Sequence, residues 1–276
     1  MSHNLHCGRF VLSLEQPLIM AVVNVTDDSF SGDGLRGDAV RAIDQGLRMR
    51  EEGAHILDIG GESSRPGAAP VSLQQELDRI MPVIEGLVHC GIPLSVDTVK
   101  PQVMKAALAA GADIINDINA LRAPGALEAV AGSKAAVCVM HMQGDPGTMQ
   151  AKPHYADVVA EVAEFLAERV AAAEAVGIPR QRIIVDPGFG FGKTLEHNIE
   201  LLRRLQELVV PDLPLLVGMS RKTMLGLMTG EPVGARVHAG VTAHLLAVQR
   251  GARIVRVHDV VPMRDALAVW KAVENP

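Results

Sequence analysis

Asn24, Asp58, Asp97, Asn116, Asp117, His141, Asp186, Ser220, Arg256 and His258 share a position in the sequence: each closes a short apolar run or stands within its last residues. The runs read LIMAVVN, HILD, LSVD, DIIND, AVCVMH, RIIVD, LLVGMS and RIVRVH. Carboxylates and side-chain amides placed this way can form paired hydrogen bonds with a polar ligand. Arg256 and His258 stand two residues apart, so on an extended strand both point to the same side and suit an anion. No Ser-His-Asp or Cys-His set is recognisable among these residues.

Residues so scattered need elements that gather them. A closed barrel of alternating strands and helices does this, because the carboxyl ends of its strands surround one mouth. Between the runs, residues 38–52, 72–88, 155–176, 195–208 and 236–250 place apolar side chains at three- and four-residue spacing, as amphipathic helices do. The runs themselves are nearly continuously apolar, which fits parallel strands covered by helices. Thr98-Val-Lys-Pro101 reads as a helix start, and Gly53, Gly111, Gly177 and Gly251 each follow a helical stretch where a left-handed terminating residue is wanted. The chain therefore predicts an α/β fold, a single (β/α)8 TIM barrel over 1–276 with a short N-terminal extension of about residues 1–17. Its 276 residues are near the typical ~250 of that fold, and no linker or repeat divides them. The competitor, an open doubly wound sheet, needs fewer strand ends at its site.

Composition works by exclusion. A formal net charge of −6 argues against nucleic acid or an anionic membrane as the main partner. The stretch around Val11 to Val23 is broken by Glu15, Gln16 and Pro17, too short and polar for a membrane span or a clean signal peptide. Cys7, Cys90 and Cys138 are odd in number and far apart, pointing to a reducing, cytoplasmic setting, in which the Asn24-Val-Thr26 sequon is idle. Asp186-Pro-Gly-Phe-Gly-Phe-Gly-Lys-Thr194 looks like a nucleotide-binding P-loop, but the first glycine of that pattern would fall on Pro187, so the spacing fails. It reads instead as a strand end followed by a turn whose glycines let a flat ligand approach the backbone. The Gly-rich segments 27–34 and 60–67 read as loops that close over the same face.

In order along the chain, Asn24-Val-Thr26 with Asp28-Ser-Phe-Ser31, Asp58-Ile-Gly-Gly-Glu-Ser-Ser-Arg-Pro-Gly67, Ser95-Val-Asp-Thr98, Ile115-Asn-Asp117, Met140-His-Met-Gln-Gly144, Asp186 to Lys193, Gly218-Met-Ser-Arg-Lys222 and Arg256-Val-His-Asp259 resemble dihydropteroate synthase, the folate-pathway enzyme targeted by sulfonamides. The resemblance runs from about Leu18 to Asp259. It implies a Mg²⁺-assisted transferase that condenses 6-hydroxymethyl-7,8-dihydropterin pyrophosphate with 4-aminobenzoate, releasing pyrophosphate and giving 7,8-dihydropteroate. It also implies a homodimer through the last helices, with the apolar face of residues 237–248 available to it or to the barrel.

By the same resemblance, Asp97, Asn116, Met140, Asp186, Phe191, Lys222 and Arg256 form the pterin pocket, the carboxylate of Asp186 accepting a donor pair from the ring and the guanidinium of Arg256 lying over its face. Asn24 lies near Mg²⁺ and the phosphates, and Arg65, Arg256 and His258 contact pyrophosphate. Phe30 and Pro66 flank the aminobenzoate ring, Ser64 and Arg65 belong to the second closing loop, and Ser220 lies near the aminobenzoate carboxylate at a helix start. The catalytic group implied is Asn24, Asp97, Lys222, Arg256 and His258. Asp58 stays open between a core ion pair and a ligand contact, and His141 reads as structural. Two departures from the family pattern stand out. Asp27 replaces the usual Pro and displaces Asp33 by one position, and Ser64 replaces Thr. Two rivals share the pocket: a pterin-binding methyltransferase domain, which would work beside a corrinoid partner, and a paralogue that binds pterin without turnover.

Overall fold

The computed structural model describes residues 4–25, 34–63, 70–145 and 147–274, with side chains in the first helix described from Ala39 onward. Two short strands, β1 (Asn4–Cys7) and β2 (Phe10–Ser13), form an antiparallel hairpin. Then follow β3 (Leu18–Asn24), α1 (Gly34–Glu52), β4 (Ile56–Gly60), α2 (Leu73–Leu87), β5 (Leu94–Asp97), α3 (Pro101–Ala109), β6 (Ile114–Asp117), α4 (Ala126–Ala131), β7 (Ala136–Met140) and α5 (Val158–Ala175). The chain continues through β8 (Ile183–Asp186), α6 (Leu195–Arg203), β9 (Leu216–Val217), α7 (Thr223–Thr229), α8 (Val237–Gln249), β10 (Ile254–Val257) and α9 (Val260–Glu274).

The large sheet has eight strands in the order β8-β7-β6-β5-β4-β3-β10-β9, every pair parallel. Its two edges meet where Val185 bridges Leu215, so the sheet closes on itself as the TIM barrel expected from the sequence. Alternation along the strands sorts the apolar residues into two cores. Leu18, Met20, Ile56, Ile114, Ala136, Cys138, Ile184, Leu216 and Ile254 fill the bore. Ile19, Ala21, Leu57, Ile59, Leu94, Val96, Ile115, Val137, Val185 and Val255 face the helix layer. The runs read as continuously apolar because both faces of each strand are buried.

The hairpin explains the N-terminal extension, which the sequence did not show as structured. Leu5 and Cys7 are fully buried and join the bore cluster with the partly buried Phe10 and Leu12, so β1 and β2 plug one end. Arg9 at its tip holds Asp113, just before β6, through Nε (3.0 Å) and Nη2 (2.8 Å), and Asp113 also accepts from the Leu94 N–H (3.1 Å). With one end sealed by hydrocarbon, a polar side chain projecting inward one or two positions farther along a strand is carried to the other end.

Local signals account for the helices. Ser72 and Gln75 form a reciprocal capping box on α2, Asp157 caps α5 through the Val159 and Ala160 N–H groups, and Pro101 opens α3 at its first turn. Gly53, Gly111, Gly177 and Gly251 all have positive φ, as helix-ending residues should. The segment 195–208 divides into α6 and a separate 3-10 turn at Leu205–Leu208. No helix among the described residues is long and apolar enough to cross a membrane.

Candidate active site

Asp58, Asn116 and Arg256 each stand two residues beyond a bore residue (Ile56, Ile114 and Ile254), so they project inward at the open end. Asp97 shares that level, paired in register with Asn116 on β6 and with Gly60 on β4. Arg256 spans two strands: its Nε donates to Asp58 Oδ2 (2.6 Å) and its Nη2 to Asp97 Oδ2 (2.9 Å). Asn116 Nδ2 donates to the same Asp58 oxygen (3.1 Å), while Asp58 Oδ1 is buried without a partner. Burial pushes the Asp97 carboxyl up to about 7, against the pull of Arg256 and helped by Asp58 and Asp117. Burial works against the charge on Arg256 as well, but Asp58 and Asp97 outweigh it and hold the guanidinium charged.

The opposite wall comes from β8 and the turn that follows it. Burial raises the Asp186 carboxyl, with Lys222 and the Gly188 N–H (2.7 Å to Oδ1) opposing. Lys222 is pulled down to about 8 by burial, with Asp186 opposing; its Nζ donates to Phe189 O and lies 4.6 Å from the centre of the Phe191 ring. Phe191 packs with Ile118, Met140, Met142 and Met149 into an apolar patch beside these charges. Gly188 (φ +68) admits no side chain, since a Cβ there would lie 1.9 Å from His141 O. Lys193 is the turn's internal peg: its buried Nζ donates to Gly188 O (2.9 Å) and Phe191 O (3.0 Å) and lies 2.9 Å from His141 Nδ1. Burial and Lys193 together pull His141 down to about 3, so it stays neutral, its Nδ1 2.9 Å from Lys193 Nζ.

At the rim, His258 follows β10, and its backbone N–H and Nδ1 lie 3.3 and 3.1 Å from Ser220 Oγ. Asn24 ends β3 in register with Gly60 and is half-buried. The arrangement can hold a flat polar ring between buried carboxylates, an amide and two cations, with an anion beyond it toward Asn24 and His258.

A family model described as "Pterin binding enzyme" matches residues 20–258. The dihydropteroate synthase of Neisseria meningitidis serogroup C is 50% identical over 276 residues, covering 98% of each chain. That of Escherichia coli (strain K12) is 46% identical over 262 residues, covering 95% of this chain and 93% of the relative. The chain belongs to the dihydropteroate synthase family. Among solved structures, the Xanthomonas albilineans dihydropteroate synthase with 4-aminobenzoic acid superposes with a TM-score of 0.94 at 52% identity, covering 100% of both chains. The Burkholderia cenocepacia dihydropteroate synthase complexed with 7,8-dihydropteroate superposes with a TM-score of 0.91 at 50% identity, covering 98% of this chain and 96% of that one.

For this member of the dihydropteroate synthase family, the barrel mouth brings together Asp97, Asn116, Met140, Asp186, Phe191, Lys222 and Arg256, with Asn24, Ser220 and His258 at its rim. Phe30, Ser64, Arg65 and Pro66 lie outside the described residues, as do Asp27 and Asp33. Ser220 requires a correction: it stands in a turn three residues ahead of α7, whose N-cap is Lys222, and not at the helix start. The strand read as LLVGMS is ladder-paired only at Leu216–Val217, after which the chain turns through Arg221 at φ +62. Asp58 proves to be both an ion-pair partner and a wall of the mouth. Lys193 escaped sequence reasoning; its one signal was a lysine directly after a glycine run.

Proposed function

We propose that these residues divide the reaction of the family between a pterin pocket and an anion end. That reaction is the condensation of 6-hydroxymethyl-7,8-dihydropterin pyrophosphate with 4-aminobenzoate to 7,8-dihydropteroate and pyrophosphate. The observation that carries the division is the convergence at the barrel mouth of the buried Asp186 and Asn116, the partly buried Asp97 and the Lys222 ammonium, which stands beside both carboxylates, with Met140 and Phe191 packed together next to them. Asp186 accepts from the amidine edge of the ring, Asn116 donates and accepts beside it, Asp97 faces a ring nitrogen, and Lys222 donates to the ring carbonyl side. Arg256, held at Nε and Nη2, presents its plane to the ring and its charge to the nearer phosphate.

In the reaction, the bond from the pterin methylene carbon to the pyrophosphate oxygen breaks with its electron pair leaving on oxygen. The arylamine nitrogen then bonds that carbon, and its proton is lost to solvent. The amine is neutral near pH 7, so no strong base is needed. The barrier lies in charge developing on the leaving group, which Arg256 and His258, joined by Arg65 from the second loop, stabilise. A Mg²⁺ ion would add Lewis-acid stabilisation of the same oxygens. Asn24 would hold it by one neutral oxygen, the substrate phosphates supplying the remaining oxygen ligands. Ser220 meets the aminobenzoate carboxylate, with Phe30, Ser64 and Pro66 completing that subsite.

The free, buried cysteines fit a cytoplasmic setting. Homodimerisation is supported by exposed apolar side chains on α7, the 3-10 turn after it, α8 and α9, namely Leu227, Met228, Val233, Leu246, Val269 and Val273. The deciding experiment is pyrophosphate release with Mg²⁺, dihydropterin pyrophosphate and 4-aminobenzoate, each omitted in turn. Dependence on all three with formation of dihydropteroate is expected; tight pterin binding without turnover would make the chain a binding paralogue.

A further inference from the structure

His244 lies on α8, is 1% exposed, and is the one histidine of that helix turned fully into the protein. Its Nδ1 lies 2.7 Å from Gly240 O. A carbonyl can only accept, so Nδ1 carries the proton and Nε2 keeps its lone pair. That lone pair accepts the Met219 N–H at 3.1 Å. Burial pulls the imidazole down to about 4, so this neutral tautomer persists through the physiological range. Met219 follows the glycine after β9 and immediately precedes Ser220, where no ladder bond holds the backbone.

The same helix reaches the turn elsewhere. Arg236, at the N-cap of α8, donates from Nη1 to Arg221 O (3.2 Å) and Lys222 O (3.4 Å). A Cβ at Gly240 would lie 3.9 Å from Ser220 Cα, so helix and turn are in direct contact. We infer that His244 is a positioning residue for the aminobenzoate subsite: by accepting the Met219 N–H it fixes the backbone that aims the Ser220 hydroxyl. This rests on the reading that Ser220 meets the aminobenzoate carboxylate. His258, bonded to Ser220 Oγ, holds the hydroxyl from the other side, so the side chain is defined only if its backbone is.

The test is steady-state kinetics of the full-length enzyme carrying His244→Phe, His244→Gln, Ser220→Ala and the Phe/Ala double substitution. Phe fills the space without an acceptor, whereas the Gln carbonyl oxygen can reach where Nε2 sits. The expected result is a rise of about tenfold in the 4-aminobenzoate KM for His244→Phe, with the dihydropterin pyrophosphate KM within about twofold. His244→Gln should restore most of it, and the double variant should be no worse than Ser220→Ala, because residues acting through one another are not additive. If Ser220→Ala raises the aminobenzoate KM and His244→Phe does not, or if His244→Phe raises both KM values alike, the inference fails. If Ser220→Ala itself changes nothing, the reading of Ser220 is what has failed. Should His244→Phe not fold, His244→Asn, too short to reach Met219, carries the same two alternatives.

Discussion

Arg256 has carboxylate partners on two different strands, so its role depends on the guanidinium fork and not on charge alone. A lysine ammonium offers a single point of contact in place of two fixed donors, so it holds both carboxylates less well, and a buried carboxylate that loses its partner costs about 3–5 kcal/mol. Arg256→Lys should therefore lower the melting temperature and cost at least ~10-fold in kcat/KM, measured by calorimetry and pyrophosphate release; full activity would remove the fork from the argument. Asp186→Asn should keep the fold, since an amide oxygen can still accept from the Gly188 N–H. It should weaken pterin binding about 10- to 100-fold, the loss of a charge-assisted bond worth about 1.5–3 kcal/mol, read by titration calorimetry. Asp97 makes a pH prediction. Its carboxyl titrates near 7 when folded and at 3.8 when not, so between those values the folded protein holds a proton that the unfolded chain has released. Stability from this group therefore falls as pH rises from about 4 to about 7. Asp97→Asn lacks that component, so its melting temperature relative to the unsubstituted protein should climb across the same window and level off above it. A pH-independent difference would contradict the burial argument. These site residues were legible because each ends an apolar run. Lys193 was not, because its partners are main-chain carbonyls whose positions no sequence pattern records.

The elements differ in how strongly their residues announce them. Parallel strands buried on both faces and helices with capping residues are local patterns, which is why β3 to β8 and α2 or α5 could be placed within a few residues. The hairpin could not, because Leu5 and Cys7 become core only when the barrel is present to receive them, and four-residue strands carry little periodicity. Likewise β9, two residues long, owes its place to β10 and to the Val185–Leu215 bridge rather than to its own sequence. Gly8 tests the plug. At φ +54, with a Cβ placed 2.4 Å from Asp113 Oδ1, it has no room for a side chain. Gly8→Ala should disturb the Arg9–Asp113 anchor and cost about 1–3 kcal/mol, roughly 2–12 °C in melting temperature at about 2–4 °C per kcal/mol for chains of this size. Pterin affinity at 25 °C should stay within about twofold, because the plug and the mouth are at opposite ends. A selective loss of affinity at unchanged melting temperature would refute that separation.

For the molecule as a whole, the most exposed large apolar side chains among the described residues stand on α7 and α9, with Leu227 64% exposed, Val269 67% and Val273 71%, while others such as Val11 and Val40 are scattered elsewhere. Side chains of this kind on neighbouring helices are more costly to leave in water than scattered ones and invite a second copy. In a twofold dimer every interface residue is buried twice, so one substitution acts on both halves. Val269→Asp would bury two unpaired carboxylates at about 3–5 kcal/mol each, weakening association by about 10⁴-fold or more, to be read by sedimentation velocity. A protein that sediments as a monomer before any substitution would overturn the dimer. The consequence for function follows from α8, which faces both ways. Leu246 lies on the outer surface, while His244 and Arg236 on the same helix hold the backbone from Met219 to Lys222. Dissociation should then loosen the Ser220 turn more than the carboxylate cluster between β4 and β10, so Val269→Asp should raise the 4-aminobenzoate KM by a few-fold while leaving pterin binding near its original strength. Equal loss at both subsites would mean that the dimer supports the barrel generally and that α8 is not the connection.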